Sequence, residues 1–274
     1  MMEKTVLITG CSSGIGRATA ESFLDSDWTV YATSRDTDDI TDLAEAGCET
    51  AALDVTDQED IDRVVSRIED EVGALDCLVN NAGYGLYGPL EDVTVDQLHH
   101  QFDVNVYGPH RLSRAVLPLF RDQEDGTIIN LSSIYGRLST PGGGAYAGSK
   151  FALEAMSDAL RAEVDPFDIS VVLVEPGPVE TGFNDRLETE LDEFDRTPDY
   201  DWLYETIEDA NIAAGAAPFA LDPDAVATVI HDVAGMKNPD PRYPVGTFAK
   251  LVVYSSFLPD RVRDGVFRVV RKLT

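Results

Sequence analysis

The chain of 274 residues lacks long apolar runs, paired cysteines and any histidine spacing that suits a metal. A bilayer-spanning helix needs about 20 consecutive apolar residues, and no stretch reaches that length. The three cysteines are odd in number and lack ligand spacing, so we expect reduced packing residues in a cytoplasmic protein without a bound metal. A strand beginning near Thr5 leaves no room for a signal peptide. Internal repeats and low-complexity linkers are also absent, which predicts one α/β domain over 1–274.

Lysine is scarce as well, at five of the 21 basic residues, and these oppose 50 acidic residues to leave a formal net charge of −29. Such a charge repels nucleic acid and anionic membranes, so we expect no nucleic-acid partner. Acidic residues spread over many helix faces predict a host with high intracellular salt. The alternative is simply an acidic protein from an ordinary host.

A glycine-rich turn follows the first predicted strand, Thr5–Thr9, and precedes a helical pattern from Arg17 to Leu24. This arrangement binds dinucleotides, because glycines let the backbone approach a pyrophosphate and the helix amino terminus stabilises its charge. The alternative is an ordinary strand-to-helix turn. The predicted cofactor contacts in the turn are Gly10, Ser12, Ser13, Gly14, Ile15 and Gly16.

The second predicted strand, 29–33, ends at Ser34, and Arg35 follows it. NAD-binding folds usually place an acid here to hold the ribose hydroxyls, whereas a guanidinium suits the 2′-phosphate of NADP. The sequence therefore predicts NADP(H) in preference to NAD(H). The adjacent Asp36 opposes this prediction, and a solvated surface arginine is the alternative.

Further cofactor contacts are predicted after the third strand, 51–56, and the fourth, 75–79. Asp54 would accept from the adenine amino group with Val55 against the ring; equally, Asp54 would begin a turn. Small residues after the fourth strand allow a cofactor beside the backbone, and asparagines there brace neighbouring strand ends. The contacts expected at this point are Asn81, Ala82 and Gly83.

Tyr146 and Lys150 lie four apart and therefore on one face of a predicted helix. A neighbouring cation favours the phenolate and lowers the pKa of the phenol, which makes it a usable general acid or base. Ser133 ends a buried strand, and in an open parallel sheet ligands bind at that edge. The sequence therefore predicts one catalytic group that contains Ser133, Tyr146 and Lys150.

A fourth catalytic candidate, Asn105, lies amid apolar residues on a helix that a capping box opens at Thr94–Gln97. Pro109 follows and distorts the helix. We expect a kink at Asn105 that exposes a backbone carbonyl and holds a water near Lys150. The alternative is a buried asparagine whose hydrogen bonds are satisfied within the protein.

The loop after the sixth strand, 169–174, is predicted to lie over the nicotinamide, with contacts from Pro176, Gly177, Val179 and Thr181. Residues 183–222 then break the βα rhythm and predict a substrate-covering lid, the alternative being an acidic surface excursion. A short last strand is predicted at 242–245, and the tail, 250–274, is basic and amphipathic. It would contact a membrane surface, which the acidic bulk disfavours, or form an oligomer interface or a substrate wall.

Taken in order along residues 5–182, these motifs resemble the single-domain short-chain dehydrogenase/reductase family. The residues that carry the resemblance are Thr9-Gly10-x3-Gly14-x-Gly16, Asn80-Asn81-Ala82-Gly83, Asn105, Ser133, Tyr146-x3-Lys150 and Pro176-Gly177. The second strand and the basic tail are similar to the 17β-hydroxysteroid and retinol dehydrogenase-like group. The family's fold is a doubly wound parallel sheet of seven strands, ordered 3-2-1-4-5-6-7, with helices on both faces.

The resemblance implies hydride transfer between a nicotinamide and a small carbonyl or alcohol substrate. Tyr146 would exchange the proton with the substrate oxygen, and Ser133 would hold that oxygen. Lys150 would bind the nicotinamide ribose, so it and Tyr146 also touch the cofactor, and Asn105 would position a relay water. A homodimer or homotetramer is implied. The other functions considered are a dinucleotide-sensing regulator and a membrane-associated scaffold.

Overall fold

A computed structural model of the chain describes residues 4–180, 191, 194–214, 220–255, 259–262 and 265. Within these residues a seven-stranded parallel sheet has the order β3-β2-β1-β4-β5-β6-β7, as predicted. The strands are β1 (Thr5–Thr9), β2 (Thr29–Ser34), β3 (Glu49–Ala52), β4 (Cys77–Asn80), β5 (Gly126–Leu131), β6 (Ile169–Pro176) and β7 (Arg242–Val245).

Helices cover both faces of this sheet. They are α1 (Gly14–Leu24), α2 (Thr41–Ala46), α3 (Gln58–Glu71), α4 (Val95–Phe102), α5 (Gly108–Gln123), α6 (Gly144–Val164), α7 (Asp201–Ala214), α8 (Pro223–Ala234) and α9 (Thr247–Ser255). No helix among the described residues is long and apolar enough to cross a bilayer.

Two apolar cores lie on opposite faces of the sheet because successive side chains of a strand alternate between them. On β1, Val6 and Ile8 pack in one core with α1, α2 and α8. Leu7 packs in the other core with α3, α5 and α6. The doubly wound α/β prediction is therefore confirmed.

The bounds of three strands can be compared with those that the sequence predicted. Strand β7 coincides with its predicted range, and β2 ends at Ser34 as expected. Strand β3 instead ends at Ala52, four residues before the predicted end. The chain turns there because Asp54 Oδ1 accepts hydrogen bonds from the Thr56 amide at 2.8 Å and the Thr56 hydroxyl at 2.7 Å.

The segment around Asn105 is a π-helical turn, Asp103–Tyr107, between α4 and α5. The predicted capping box opens α4, since the Thr94 hydroxyl accepts from the Gln97 amide and Gln97 Oε1 accepts from the Thr94 amide. Pro109 has no N–H to donate to the carbonyl of Asn105 four positions earlier. The kink is thus a wide turn placed just before a helix that has proline in its first turn.

A third apolar cluster lies over the carboxyl edge of the sheet and includes Phe194, Leu203, Tyr204 and Ile207 from the predicted lid. Only 191, 194–214 and 220–222 of that lid are described, and of the tail only 250–255, 259–262 and 265. Thr181, predicted to contact the cofactor, lies outside the described residues.

Candidate active site

The glycine turn after β1 is shaped for a close backbone approach. Gly10 and Gly14 have φ of +74° and +55°, which L side chains rarely adopt. At Gly16 a Cβ would overlap the Gly10 carbonyl oxygen. Asn81 fastens the turn to the next strand end, since its Nδ2 donates to Thr9 O at 2.8 Å and to Gly10 O at 3.1 Å. A turn with glycine at these three positions, at the start of α1, fits the pyrophosphate of a dinucleotide.

The other residues of the turn include serines whose polar groups are accessible to solvent. Ser13 is exposed at the amino terminus of α1, and its hydroxyl makes no capping hydrogen bond. Ser12 and Ile15 are half-buried beside it. These positions fit a phosphate bound at the helix amino terminus, as the sequence predicted for Ser12, Ser13 and Ile15.

The end of β2 presents a single unpaired cation. Ser34 is buried, while Arg35 is exposed and forms no ion pair or hydrogen bond with the described residues. Asp36, expected to oppose a 2′-phosphate, accepts instead from the Asp38 amide at 3.0 Å and caps a short helix. Arg17, the other nearby guanidinium, pairs with Asp42.

The predicted adenine site is a turn that leaves one carboxylate oxygen without a hydrogen bond from the described residues. Asp54 begins the turn through hydrogen bonds accepted by Oδ1, which was one of the two roles expected for this residue. Its Oδ2 accepts no hydrogen bond from the described residues. Val55 is buried beside Gly108, where a Cβ would lie 2.9 Å from its side chain. After β4, Ala82 is half-buried and Gly83 exposed, so backbone is accessible beside both sites.

Ser133 and Tyr146 meet at the carboxyl edge through a hydrogen bond between their side chains. Ser133 Oγ also accepts from the Tyr135 amide at 3.2 Å, which fixes the position of its side chain. The Tyr146 ring packs between Tyr87 and Tyr135, with centroids 5.5 Å from each.

The pKa of Tyr146 is raised, chiefly by burial, while the Ser133 hydrogen bond opposes the rise. The expected lowering of this pKa is therefore wrong for this structure, because desolvation of a phenol that is 7% exposed is the largest influence and raises the pKa. Tyr146 is held as the neutral phenol, the form that donates a proton.

Lys150 is buried one helical turn from Tyr146. Its Nζ donates to Leu131 O at 2.8 Å and lies 5.7 Å from the Tyr146 ring centroid. Burial lowers the pKa of Lys150 to about 8, and the charge of Glu154 opposes this. The ammonium can therefore exchange a proton near neutral pH, and it is anchored at the end of β5.

The side-chain amide of Asn105 forms its hydrogen bonds within the protein, which is one of the two arrangements expected from the sequence. Its Nδ2 donates to Tyr84 O at 2.8 Å and to Ser149 Oγ at 3.1 Å. Its Oδ1 accepts from the Tyr84 amide at 3.1 Å. These bonds hold the loop after β4 against α6 and fix the π turn, while Pro109 cannot donate to the Asn105 carbonyl.

The loop after β6 lies beside the catalytic candidates and completes the candidate site. The Gly177 amide donates to Val245 O at 3.3 Å, and Val179 pairs with Leu221 through a parallel bridge. Pro176 is the last residue of β6, which places the loop beside the end of β5 and its catalytic candidates.

Comparison with known proteins agrees with this arrangement. A family model described as short chain dehydrogenase matches residues 4–192. The chain belongs to the short-chain dehydrogenase family. It is 39% identical over 276 residues to the uncharacterized oxidoreductase YbbO of Escherichia coli, covering 98% of this chain and 95% of that one.

Two further relatives extend the likeness along the whole length. The chain is 33% identical to the NADPH-dependent 3-dehydrocapnine reductase of Ornithobacterium rhinotracheale, with 98% of each protein covered. The crystal structure of a short-chain dehydrogenase from Streptomyces avermitilis superposes with a TM-score of 0.81 at 34% identity, covering 97% of this chain and 96% of that one. The comparisons support a nicotinamide dinucleotide as the cofactor of this oxidoreductase.

In this short-chain dehydrogenase two carboxylates hold the described part of the predicted lid against the loop after β4. Asp92 accepts from the Thr197 amide at 3.1 Å, the Thr197 hydroxyl at 2.6 Å and the Tyr204 hydroxyl at 2.7 Å. Tyr200 also donates to Glu91 at 2.7 Å. The lid segment 194–207 is therefore tied to the chain that passes the catalytic candidates.

Sequence reasoning missed the two tyrosines around Tyr146. Tyr135 follows Ser133 by two residues, and this nearness was the available signal. Tyr87 had none, because the loop after β4 has no periodicity that reveals which side chain turns toward the site. It also missed Glu154 and Glu175, which are buried behind the site.

Proposed function

We propose that this protein is an NADP(H)-dependent oxidoreductase that transfers a hydride between the nicotinamide and a carbonyl or alcohol substrate. The observation that carries the proposal is the hydrogen-bonded pair Ser133–Tyr146, with Lys150 buried one turn away, at the edge that also holds the glycine turn. A proton donor, an oxygen-binding hydroxyl and a dinucleotide site then lie along one strand edge.

Each side chain has a role that its contacts support. The neutral phenol of Tyr146 donates its proton to the carbonyl oxygen, and the hydroxyl of Ser133 holds that oxygen in place. Lys150 binds the nicotinamide ribose and, with its lowered pKa, returns a proton toward Tyr146. The carbonyl of Asn105 orients a water between Lys150 and solvent. When bound, the nicotinamide would supply the hydride for reduction as NADPH, or accept it for oxidation as NADP⁺.

Cofactor choice rests on Arg35. Among the described residues its guanidinium forms no ion pair, and it follows the end of β2, where we propose that the 2′-phosphate binds; Asp36 caps a short helix. The relative whose name states NADPH dependence supports the same preference. Ser13 would add a hydroxyl donor.

The third apolar cluster supports an apolar substrate. Leu86, Phe194 and Tyr204 pack where the lid meets the loop after β4, and Ala145 joins them beside Tyr146. Ala145 brings that cluster to the residue next to the proposed proton donor. We propose a ketone or aldehyde with an extended apolar part as the substrate.

The chemical test is Tyr146→Phe, assayed as NADPH oxidation over a panel of ketones and aldehydes. The ring and its contacts remain while the proton donor is lost, so turnover should fall by about 10²–10⁴-fold with NADPH affinity nearly unchanged. Tyr243→Phe on the outer strand β7 is the matched control. Parent-like turnover by Tyr146→Phe would refute the assignment.

The cofactor test is Arg35→Ala, with NADPH and NADH dissociation constants measured in parent and variant. Loss of a hydrogen bond to a charged group should weaken NADPH by about 1.5–3 kcal/mol and leave NADH little changed. Arg114→Ala, an exposed arginine on α5, is the control. Equal losses for both cofactors would contradict the assignment.

The two other functions make different predictions. A dinucleotide-sensing regulator would bind NADPH without turning over any carbonyl compound in the panel. A membrane-associated scaffold would co-sediment with anionic vesicles, and removal of 250–274 would abolish this. The acidic charge of the chain opposes the second of these.

A further inference from the structure

Two glutamates lie buried together behind the catalytic candidates. Glu154 is on α6, one helical turn after Lys150, and is 4% exposed. Glu175 is in β6, immediately before Pro176 and Gly177, and is fully buried. Burying two carboxylates against each other is costly unless their charge or their hydrogen bonding is compensated.

Three of their four carboxylate oxygens lack a hydrogen-bond donor among the described residues. Within the described chain, Oε1 of Glu154 and both side-chain oxygens of Glu175 are buried and accept no hydrogen bond from another group. The two carboxyl groups nevertheless lie within hydrogen-bonding reach of each other. Two ionised carboxylates are both acceptors and cannot form that bond, whereas one shared proton supplies the missing donor.

Two arginines face the pair, yet they do not neutralise it fully. Arg242 Nε lies 3.0 Å from Glu154 Oε2 and 3.6 Å from Glu175 Oε1, while its Nη2 is 2.7 Å from both carboxylate oxygens of Asp158. Arg137 reaches Glu154 only at 3.8 Å and Glu175 at 3.6 Å. Glu175 thus has no direct hydrogen bond to a cation.

The charges around Glu175 favour its protonated form. Burial raises its pKa first, the charge of Glu154 raises it further, and the two arginines oppose the rise. The groups that face it are Glu154 from α6, Arg137 from the segment after Ser133 and Arg242 from β7. Asp158 on α6 acts indirectly, because it shares Arg242.

The pair and the arginines that face it lie on the same chain segments as the candidate site. Arg137 follows the short helix that Ser133 caps, Glu154 shares α6 with Tyr146 and Lys150, and Glu175 begins the Pro176–Gly177 loop. We propose that Glu154 and Glu175 share one proton and act as a positioning pair that holds Lys150 and the Pro176–Gly177 loop in register for the reaction. The positioning part rests on the proposed function, while the shared proton does not.

Loss of the shared proton should disturb both partners of the pair. Two adjacent negative charges repel, so the segment carrying Glu175 and the following loop would move, and the KM for NADPH would rise. In Glu175→Gln an amide N–H permanently replaces the proton and keeps the bond to Glu154. This conservative variant therefore separates the titration from the packing.

The first measurement is the infrared carbonyl band of a protonated carboxylic acid, recorded on the whole protein in D₂O without substrate. The parent should show this band at about pH 6.5, and Glu175→Gln should lose it. Glu154→Gln should lose it at lower pH than the parent, because Glu175 then ionises without a like charge beside it. Glu69→Gln, at an exposed carboxylate of α3, should leave the band unchanged.

The second measurement is the KM for NADPH and the kcat between about pH 6 and about pH 8.5. Across this range the parent KM should rise about two- to thirtyfold, whereas that of Glu175→Gln should stay flat. The alkaline limb of kcat should move to lower pH in Glu154→Gln, because the Lys150 ammonium loses a neighbouring negative charge.

The two measurements fail independently. If the parent shows no carboxylic acid band, or shows one that remains in Glu175→Gln, the proposal of a shared proton is wrong. A band that behaves as expected, with parent and Glu175→Gln sharing one pH dependence of KM, would overturn the positioning role. Absence of turnover on any carbonyl compound would count against the proposed function and leave the infrared result standing.

Discussion

Lys150→Met tests whether the buried ammonium is as poorly solvated as its surroundings indicate. The side chain is 5% exposed and holds a single hydrogen bond of 2.8 Å to the Leu131 carbonyl. Methionine fills a similar volume without a charge. The variant loses its proposed catalytic role, so the measured quantity is the free energy of unfolding without cofactor.

The magnitude follows from the pKa. Burial lowers the pKa of Lys150 from 10.5 to about 8. Since one pKa unit corresponds to about 1.4 kcal/mol, keeping this lysine charged in the folded state at neutral pH costs about 3 kcal/mol. Loss of the hydrogen bond costs about 1 kcal/mol. Lys150→Met should therefore be more stable than the parent by about 2 kcal/mol at about pH 7.

The sign of the pH dependence is the decisive feature. Between about pH 8 and about pH 10.5 the folded parent binds fewer protons than the unfolded chain, so its stability rises with pH through that window. Lys150→Met has no such rise, and its advantage should shrink and reverse as the pH passes about 10.

Urea unfolding in KCl, followed by tryptophan fluorescence at about pH 7 and about pH 9.5, measures this difference. The exposed Lys237→Met is the control, and its stability relative to the parent should not depend on pH. A pH-independent difference between Lys150→Met and the parent would refute the argument, because the ammonium would then be solvated in the folded state.

Three further experiments test the effect of salt, the hydrogen bonds of Asp92 to the predicted lid, and the glycine turn. Molar KCl, and likewise a weakly salting-out salt, should raise the melting temperature by screening self-repulsion; an unchanged value would count against high-salt adaptation. Asp92→Ala removes the hydrogen-bond acceptor of Thr197 and Tyr204. Amide hydrogen exchange over 194–207 should therefore become faster, and the KM for the substrate should rise while the affinity for NADPH is retained. Unaltered exchange would show that the apolar contacts hold the predicted lid. Gly16→Ala should weaken NADPH at least about tenfold, because its Cβ would overlap the Gly10 carbonyl, and Gly148→Ala, whose Cβ would lie 3.8 Å from Phe102, should bind NADPH normally.

The fold was predictable where each element has its own local signal. Strand β7 was read from four residues, and the capping box at Thr94 located the start of α4. Strand β3 was predicted too long because Leu53 and Val55 remain buried after the strand has ended. A buried apolar residue signals packing, and packing continues through the Asp54 turn although strand pairing does not.

The site was predictable as a set of residues, but not as a set of contacts. Spacing along α6 placed Lys150 beside Tyr146, and the structure confirms that they are neighbours. The direction in which the pKa of Tyr146 shifts depends on desolvation by the surrounding residues. Residue spacing along one helix gives no information about those surroundings. Glu154 and Glu175 are 21 positions apart, so only the packing of α6 against β6 reveals that they meet.

The net charge of −29 and a cofactor with an additional phosphate make opposing electrostatic demands on the protein, and local pairing around the glycine turn resolves them. Arg17 is neutralised by Asp42, and Asp36 is occupied as a cap, so Arg35 is the cation left without an ion pair at the end of β2 among the described residues. In about 1 M salt the screening length is about 3 Å, which removes the repulsion of remote carboxylates but preserves a guanidinium in contact with a phosphate. Under those conditions the proposed preference for NADPH requires only one arginine without an ion pair, because the acidic surface that surrounds it no longer acts at a distance.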